Sequence, residues 1–280
     1  MWGAYLAELL KLRRRPATWI LMGVAAALVA LFSYLFVYLF AVILAGDNGM
    51  PGTFTDTAVE SLLPPFAPSQ SVTSAAGAVA PVALILGVLA SGSEYQWRTV
   101  RLLVTQRPSR AVMLGAKVAA LATVAVALAV VTLLAALGAS SLIAVLEGRS
   151  FGGLPVDELL LAVPAAALIL LAWAALGLLL GTLFRGTGLA IGAGLVWMLV
   201  VEPMLTAIPV SDFTMAARRV MIGTNADAMG SAFAATGMAQ LFGVPAGTAI
   251  APMAGTIVVG IHVAVLWAAT TLLFVRREIT

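Results

Sequence analysis

Apolar residues along this chain gather into long runs that hold almost no charge, separated by short polar stretches. Runs of that length predict six membrane-spanning helices, at about 17–45, 71–91, 112–137, 159–184, 187–208 and 250–275. Ahead of the first run, Trp2, Tyr5, Leu6, Leu9 and Leu10 oppose Glu8 and Lys11, and Arg13, Arg14, Arg15 and Pro16 follow. This predicts an amphipathic helix over residues 1–16 that lies in the membrane interface with Glu8 and Lys11 on its polar side. The first run is far longer than the roughly 7–15 apolar residues of a signal peptide, and no small-residue cleavage site follows a short apolar core, so it is read as a span. At about 1.5 Å per residue it would reach about 43 Å, which requires tilt or projection beyond the hydrocarbon.

Between the runs the polar stretches differ in kind. Residues 46–70 carry Asp47, Asp56, Glu60 and four prolines without any Lys or Arg, and read as an external loop. Pro81 is expected to kink the second span. The third span trails to Leu146, and a short loop with Glu147, Arg149, Gly152 and Gly153 ends at Pro155. Only Arg185-Gly186 separates the fourth and fifth spans, so these must pack antiparallel, and Gly188, Gly192 and their small neighbours are expected to permit close helix contact. Residues 209–249 are Gly- and Ala-rich and weakly amphipathic, consistent with short helices that dip into the outer leaflet. The two halves of three spans show no obvious repeat, which weakens an inverted-repeat transporter.

With 62% hydrophobic and 10% charged residues and a mean hydropathy of +1.09, the chain is an all-α integral membrane protein and not a soluble domain. The absence of cysteine rules out disulfides and thiolate metal sites. A net charge of +3 and a pI near 9.7 do not indicate nucleic acid, because the basic residues sit beside the spans. With both termini cytoplasmic, twelve of the fifteen Lys and Arg residues fall on the inner face and only Arg149, Arg218 and Arg219 outside. The opposite orientation reverses that ratio, and the positive-inside rule selects the first.

Catalytic motifs are missing. There is no GxxxxGK[ST], HExxH or GxSxG, and a single His with no Cys leaves little from which to build a metal site or a triad. No catalytic residue and no metal ligand is assigned, and any nucleotide chemistry belongs to a partner. Two ionisable residues lie at membrane depth: Glu202, before Pro203 near the outer end of the fifth span, and His262, near the middle of the last. Each is a candidate for a substrate path or proton relay, or for a purely local hydrogen bond. The pair Arg218-Arg219 in the external segment suits lipid phosphates or an anionic substrate at an outer gate. Seven of the eleven methionines lie from Met198 onward without an MxxM cluster, a pattern of adaptable apolar packing rather than copper transfer.

The longest polar interruption on the inner face is Glu94 to Lys117. As a helix from 94 to about 106 it places Glu94, Arg98 and Arg101 on one side and Trp97, Val100 and Val104 on a neighbouring one. Pro108 ends it, and Ser109 is placed to cap a helix beginning near Arg110. The series Glu94, Trp97-Arg98-Thr99, Arg101-Leu102-Leu103, Pro108-Ser109-Arg110 and Lys117 resembles the first cytoplasmic loop of ABC-2 type permeases, the transmembrane subunits of bacterial ABC transporters. Arg98 stands where many members have Gly. The resemblance implies that Glu94, Tyr95, Gln96, Trp97, Arg98, Thr99 and Arg101 form a coupling helix that docks into a cleft of the ATPase subunit. It further implies two copies of a separate ATPase holding ATP and Mg, a second permease chain in a homo- or heterodimer, re-entrant helices between spans five and six, and the bacterial cytoplasmic membrane. The expected work is export of a hydrophobic or amphipathic cargo such as an antibiotic, peptide or lipid. An ion-coupled secondary transporter using Glu202 and His262, and a membrane anchor or sensor without transport, are the other readings.

Overall fold

The computed structural model describes residues 2–44, 52–96, 110–207, 212–233 and 250–276, and among these every regular element is helical. Helix α1 is Trp2–Arg14 and α2, after Arg15 alone, is Pro16–Ile43. Then come α3 (Gly52–Glu60), α4 (Ala67–Ala76), α5 (Ala80–Gln96), α6 (Arg110–Leu146) and α7 (Val156–Phe184). The series closes with α8 (Thr187–Thr206), α9 (Asp212–Val220), α10 (Ile222–Gly230) and α11 (Pro252–Arg276). Five of these, α2, α6, α7, α8 and α11, are long and apolar enough to cross a bilayer, and a sixth crossing results if the bent pair Pro64–Ala76 and Ala80–Gly92 counts as one.

Two of the sequence expectations are corrected by this arrangement and a third is narrowed. Residues 61–70 are not an exposed loop: Leu62, Ala67, Ser69 and Gln70 are buried as α4 runs into the bundle. The second span is bent by 51°, but the break lies at Gly77, ahead of Pro81. Val79 N–H reaches back to the Ser74 carbonyl at 2.9 Å across the break. Pro81 falls in the first turn of α5, where a missing N–H costs nothing, so the proline starts a helix instead of kinking one. In the fifth span the close contact falls to one of the small neighbours, Gly194, where an added Cβ would sit 2.8 Å from the Leu84 side chain, while one at Gly188 or Gly192 would meet nothing within 4 Å.

The centre of the bundle is the crossing of α5 and α7, with α4, α6, α8 and α11 packed around α7. Lipid is as apolar as leucine, so helices gain little by hiding apolar surface from it and associate through close backbone approach instead. Gly87 lies directly over the Ala174 carbonyl, and a Cβ there would meet that oxygen at 1.9 Å. Gly177 lies over the Leu84 carbonyl, with the corresponding distance 2.1 Å. One turn further on, Ser91 donates to the Leu178 carbonyl at 3.0 Å, so the contact is hydrogen-bonded as well as tight.

Wide turns accommodate side chains and proline within two of the spans. In α2 the Phe36 N–H bonds the Leu31 carbonyl, and in α8 the Glu202 N–H bonds the Trp197 carbonyl, each an i to i−5 step. The wide turn at Trp197–Val201 sits immediately before Pro203, where a regular α-turn would set the proline ring against the Leu199 carbonyl. The tight α7–α8 connection needs a left-handed residue, and it is Arg185 (φ 52°) that adopts it, with Gly186 extended. Left-handed backbone costs a side-chain-bearing residue about 1–2 kcal/mol. Arg185→Gly is therefore expected to leave stability unchanged or raise it by up to about 1 kcal/mol, and Arg185→Val to lower it, as read by thermal unfolding in detergent.

Candidate functional site

Two ends of the bundle carry polar groups. At the basic end meet α1, the last turns of α5, the first turns of α6 and the α7–α8 turn, where Gly92 approaches the Gly186 carbonyl. Glu94, Tyr95 and Gln96 form the last described turn of α5, and α6 is described from Arg110 onward. The expected coupling helix over 94–106 lies, beyond Gln96, outside the described residues, and so do Trp97, Arg98, Thr99 and Arg101. The structure brings the two helices that flank this segment together at its base.

Their junction is ionic. Lys117, 8% exposed, donates from Nζ to Glu8 Oε2 of α1 at 2.9 Å and to the Ala90 carbonyl of α5 at 2.9 Å. Lys11 also bonds Glu8, through Oε1. Arg15 donates to the Leu89 carbonyl at 2.8 Å, the residue next to Ala90. Glu8 is thus buried, at 8% exposure, and not on the water-facing side of α1. The apolar side of α1 is open, with Trp2, Leu6 and Leu10 exposed in the manner of a helix resting in lipid. Sequence periodicity placed Glu8 with Lys11, and nothing local signals that a lysine 109 residues away will claim its second oxygen.

At the opposite end, α9 and α10 fold as a hairpin over the end of α8. Asn225, fully buried, donates from Nδ2 to the carbonyls of Arg219 (3.1 Å) and Met221 (2.7 Å) and closes the turn between the two helices. Gly255 at the start of α11 sits against the Asn225 carbonyl, where a Cβ would lie 2.7 Å from the oxygen. Glu202, 4% exposed, accepts the backbone N–H of Gly223 with Oε1, 21 residues on, and its Oε2 has no partner among the described residues. The carboxylate therefore caps the first turn of α10, where unpaired N–H groups and the helix dipole favour a negative charge. The local hydrogen bond weighed from the sequence is in fact a tertiary one.

The remaining candidates stand apart from this contact. His262 Nδ1 lies 2.8 Å from the Val258 carbonyl of its own helix; a carbonyl can only accept, so Nδ1 carries the proton. Arg218 and Arg219 end α9, where cations suit the negative end of the helix dipole, and Arg219 is exposed. Among the described residues no group of three or more His, Cys, Asp or Glu side chains could hold a metal ion.

An all-helical bundle with five or six apolar crossings, an amphipathic helix leading into the first and buried ionic groups at one end defines a multi-pass membrane protein. Residues 5–201 match the family described as ABC-2 family transporter protein, which spans α1 through most of α8, and the chain belongs to that family. No curated protein matches the chain.

Proposed function

We propose that this chain is the six-span membrane subunit of a bacterial ABC exporter in the cytoplasmic membrane, with both termini in the cytoplasm. It works as a dimer of permease chains driven by two copies of a separate ATPase. The observation that carries the reading is the base of the bundle. The Arg-rich residues 97–109 connect α5 to α6, and both helices are pinned to each other and to α1 where they meet that segment. A partner that displaces the segment displaces two spans together, which is what a rigid-body switch between inward- and outward-open states requires. Trp97 and Arg98 supply the docking contact, and ATP and Mg stay on the partner. The few charges at membrane depth and the many apolar side chains suit a hydrophobic or amphipathic cargo, of the kind of an antibiotic, a peptide or a lipid.

The ion-coupled alternative draws less support. Each of its two candidate relay groups already bonds backbone, Glu202 through Oε1 with α10 and His262 through Nδ1 with Val258, and the two stand apart. Affinity purification of the tagged chain from its native membrane in mild detergent tests the proposal. An ABC ATPase is expected with the parent chain and is expected to be lost from the Trp97→Ala/Arg98→Ala double variant. No ATPase with either, even after gentle crosslinking, would overturn the reading.

A further inference from the structure

One ammonium group ties three helices together. Lys117 belongs to α6, bonds the carbonyl of Ala90 on α5 and forms a buried ion pair with Glu8 on α1. The covalent chain already joins α5 and α6 to the two sides of residues 97–109. It does not join α1 to that segment, because α1 and α2 precede it by the length of a whole span. Among the described residues α1 also packs on α6, where the Tyr5 hydroxyl lies 2.9 Å from Thr123 Oγ1, and two polar links reach from α1 and Arg15 to the base of α5: Glu8 through Lys117, and Arg15 through the Leu89 carbonyl at 2.8 Å. Two cations therefore grip consecutive carbonyls of α5 within its last two turns, from the side on which α1 lies.

What lies beyond α1 is α2, continuous with it except for Arg15, whose carbonyl accepts the Thr18 N–H at 3.1 Å. The Trp19 indole N–H also bonds the Arg13 carbonyl at 2.8 Å, which stiffens the junction between the two helices. At its other end α2 returns to the far end of α6, where Tyr38 donates at 2.6 Å to Glu147, the residue that follows the helix. Lys117 and Glu147 are about 45 Å apart along α6 at the rise of an α-helix. The unit of α1 and α2 is thus held to α6 near both ends. The inner hold is the one within reach of the segment.

We infer that Glu8, Lys117 and Arg15 are positioning residues that make α1 and the first span move as one body with the helices flanking residues 97–109. The stroke delivered to that segment then reaches three spans instead of two. This rests on the proposed coupling to an ATPase for the source of the stroke, but the mechanical link itself does not. Burial gives the link its stiffness: parting Glu8 from Lys117 breaks a charge-assisted bond in a site that water barely reaches, while Lys11 stays on Glu8 and the Ala90 carbonyl on Lys117.

The chain has no cysteine, so paired spin labels at Ala7→Cys on α1 and Phe184→Cys at the end of α7 report the position of α1 against the bundle without background. In lipid nanodiscs with no partner present, one narrow distance distribution is expected for the parent and for Lys117→Arg, and a broadened one for Glu8→Gln and Lys117→Met. Equal widths in all four overturn the link, whatever any ATPase does. With the co-purified ATPase, trapping by ATP and vanadate is expected to shift the Ala7–Phe184 distance in the parent. Lys117→Met is expected to abolish that shift and to lower ATP turnover by about two- to thirtyfold while the ATPase remains bound. Full turnover with Lys117→Met overturns the inference. Loss of ATPase binding in that variant, with binding kept by Lys117→Arg, also overturns it, by reducing Lys117 to a docking or folding role. If the parent binds no ATPase, the proposed function fails, and the partner-free measurement still decides the link.

Discussion

Gly177→Leu, and equally Gly87→Leu, is expected to abolish recovery of the folded chain from membranes. Each glycine faces a main-chain carbonyl of the opposite helix, Leu84 for Gly177 and Ala174 for Gly87, at a distance no Cβ can occupy. Overpacking against side chains costs about 1–3 kcal/mol because rotamers can give way. A backbone carbonyl cannot rotate aside without breaking its helix, so α5 and α7 must separate. In lipid no solvent-driven force brings them back once van der Waals contact is lost. Separation also takes Ser91 from the Leu178 carbonyl, removing the hydrogen bond that fixes the register. The loss should exceed about 3 kcal/mol, beyond the usual cost of a single substitution. Size-exclusion profiles of a fluorescent fusion in mild detergent check it, with Gly188→Leu, whose Cβ meets nothing within 4 Å, as the control expected to run like the parent. A sharp peak of unchanged thermal stability for Gly177→Leu would show that α5 and α7 do not cross at this depth.

Glu202→Leu should release the hairpin of α9 and α10. The carboxylate oxygen bonded to Gly223 is the acceptor for the first turn of α10, and Glu202 itself is buried. Removing the acceptor leaves a part-buried N–H without its partner, at about 1–3 kcal/mol. Glu202→Gln keeps an acceptor at the same place and should recover most of that loss. Amide exchange read by mass spectrometry over Ile222–Gly230 distinguishes these. About ten- to a hundredfold faster exchange is expected for the Leu variant, and near-parent rates for Gln, with the helices of the α5–α7 crossing unchanged. Exchange unchanged in both variants, together with loss of transport in both, would instead make Glu202 a group of the transport path.

The helical membrane character was legible because bilayer thickness dictates run length directly: five helices long and apolar enough to cross a membrane follow the apolar runs, and the Arg185-Gly186 turn parts two of them. The stretch before the second span was not legible. Ser69 and Gln70 read as loop because they are polar, whereas the fold buries them in α4 beside Ser71, which satisfies its hydroxyl on the Pro68 carbonyl at 2.7 Å. Proline likewise has two local meanings. Pro81 breaks a helix or begins one, and the choice fell to the Gly77 break ahead of it.

Glycine makes the same point more sharply. Gly177 and Gly188 are equal in any one-dimensional reading, each a small residue in an apolar helix, and only the first has another backbone against it. Glu8 reads as one polar position on an amphipathic helix, and Glu202 as an acid near a boundary. Their partners, Lys117 and Gly223, are 109 and 21 residues away. Composition and periodicity by themselves determined that this chain is a bundle of membrane helices led by an amphipathic one, because the cost of placing polar backbone and charge in hydrocarbon acts on each residue separately. Which glycines are contacts, which acid caps a helix and which lysine joins three helices were decided only by the tertiary structure, because hydrogen bonds and close packing act between residues that chain order does not bring together.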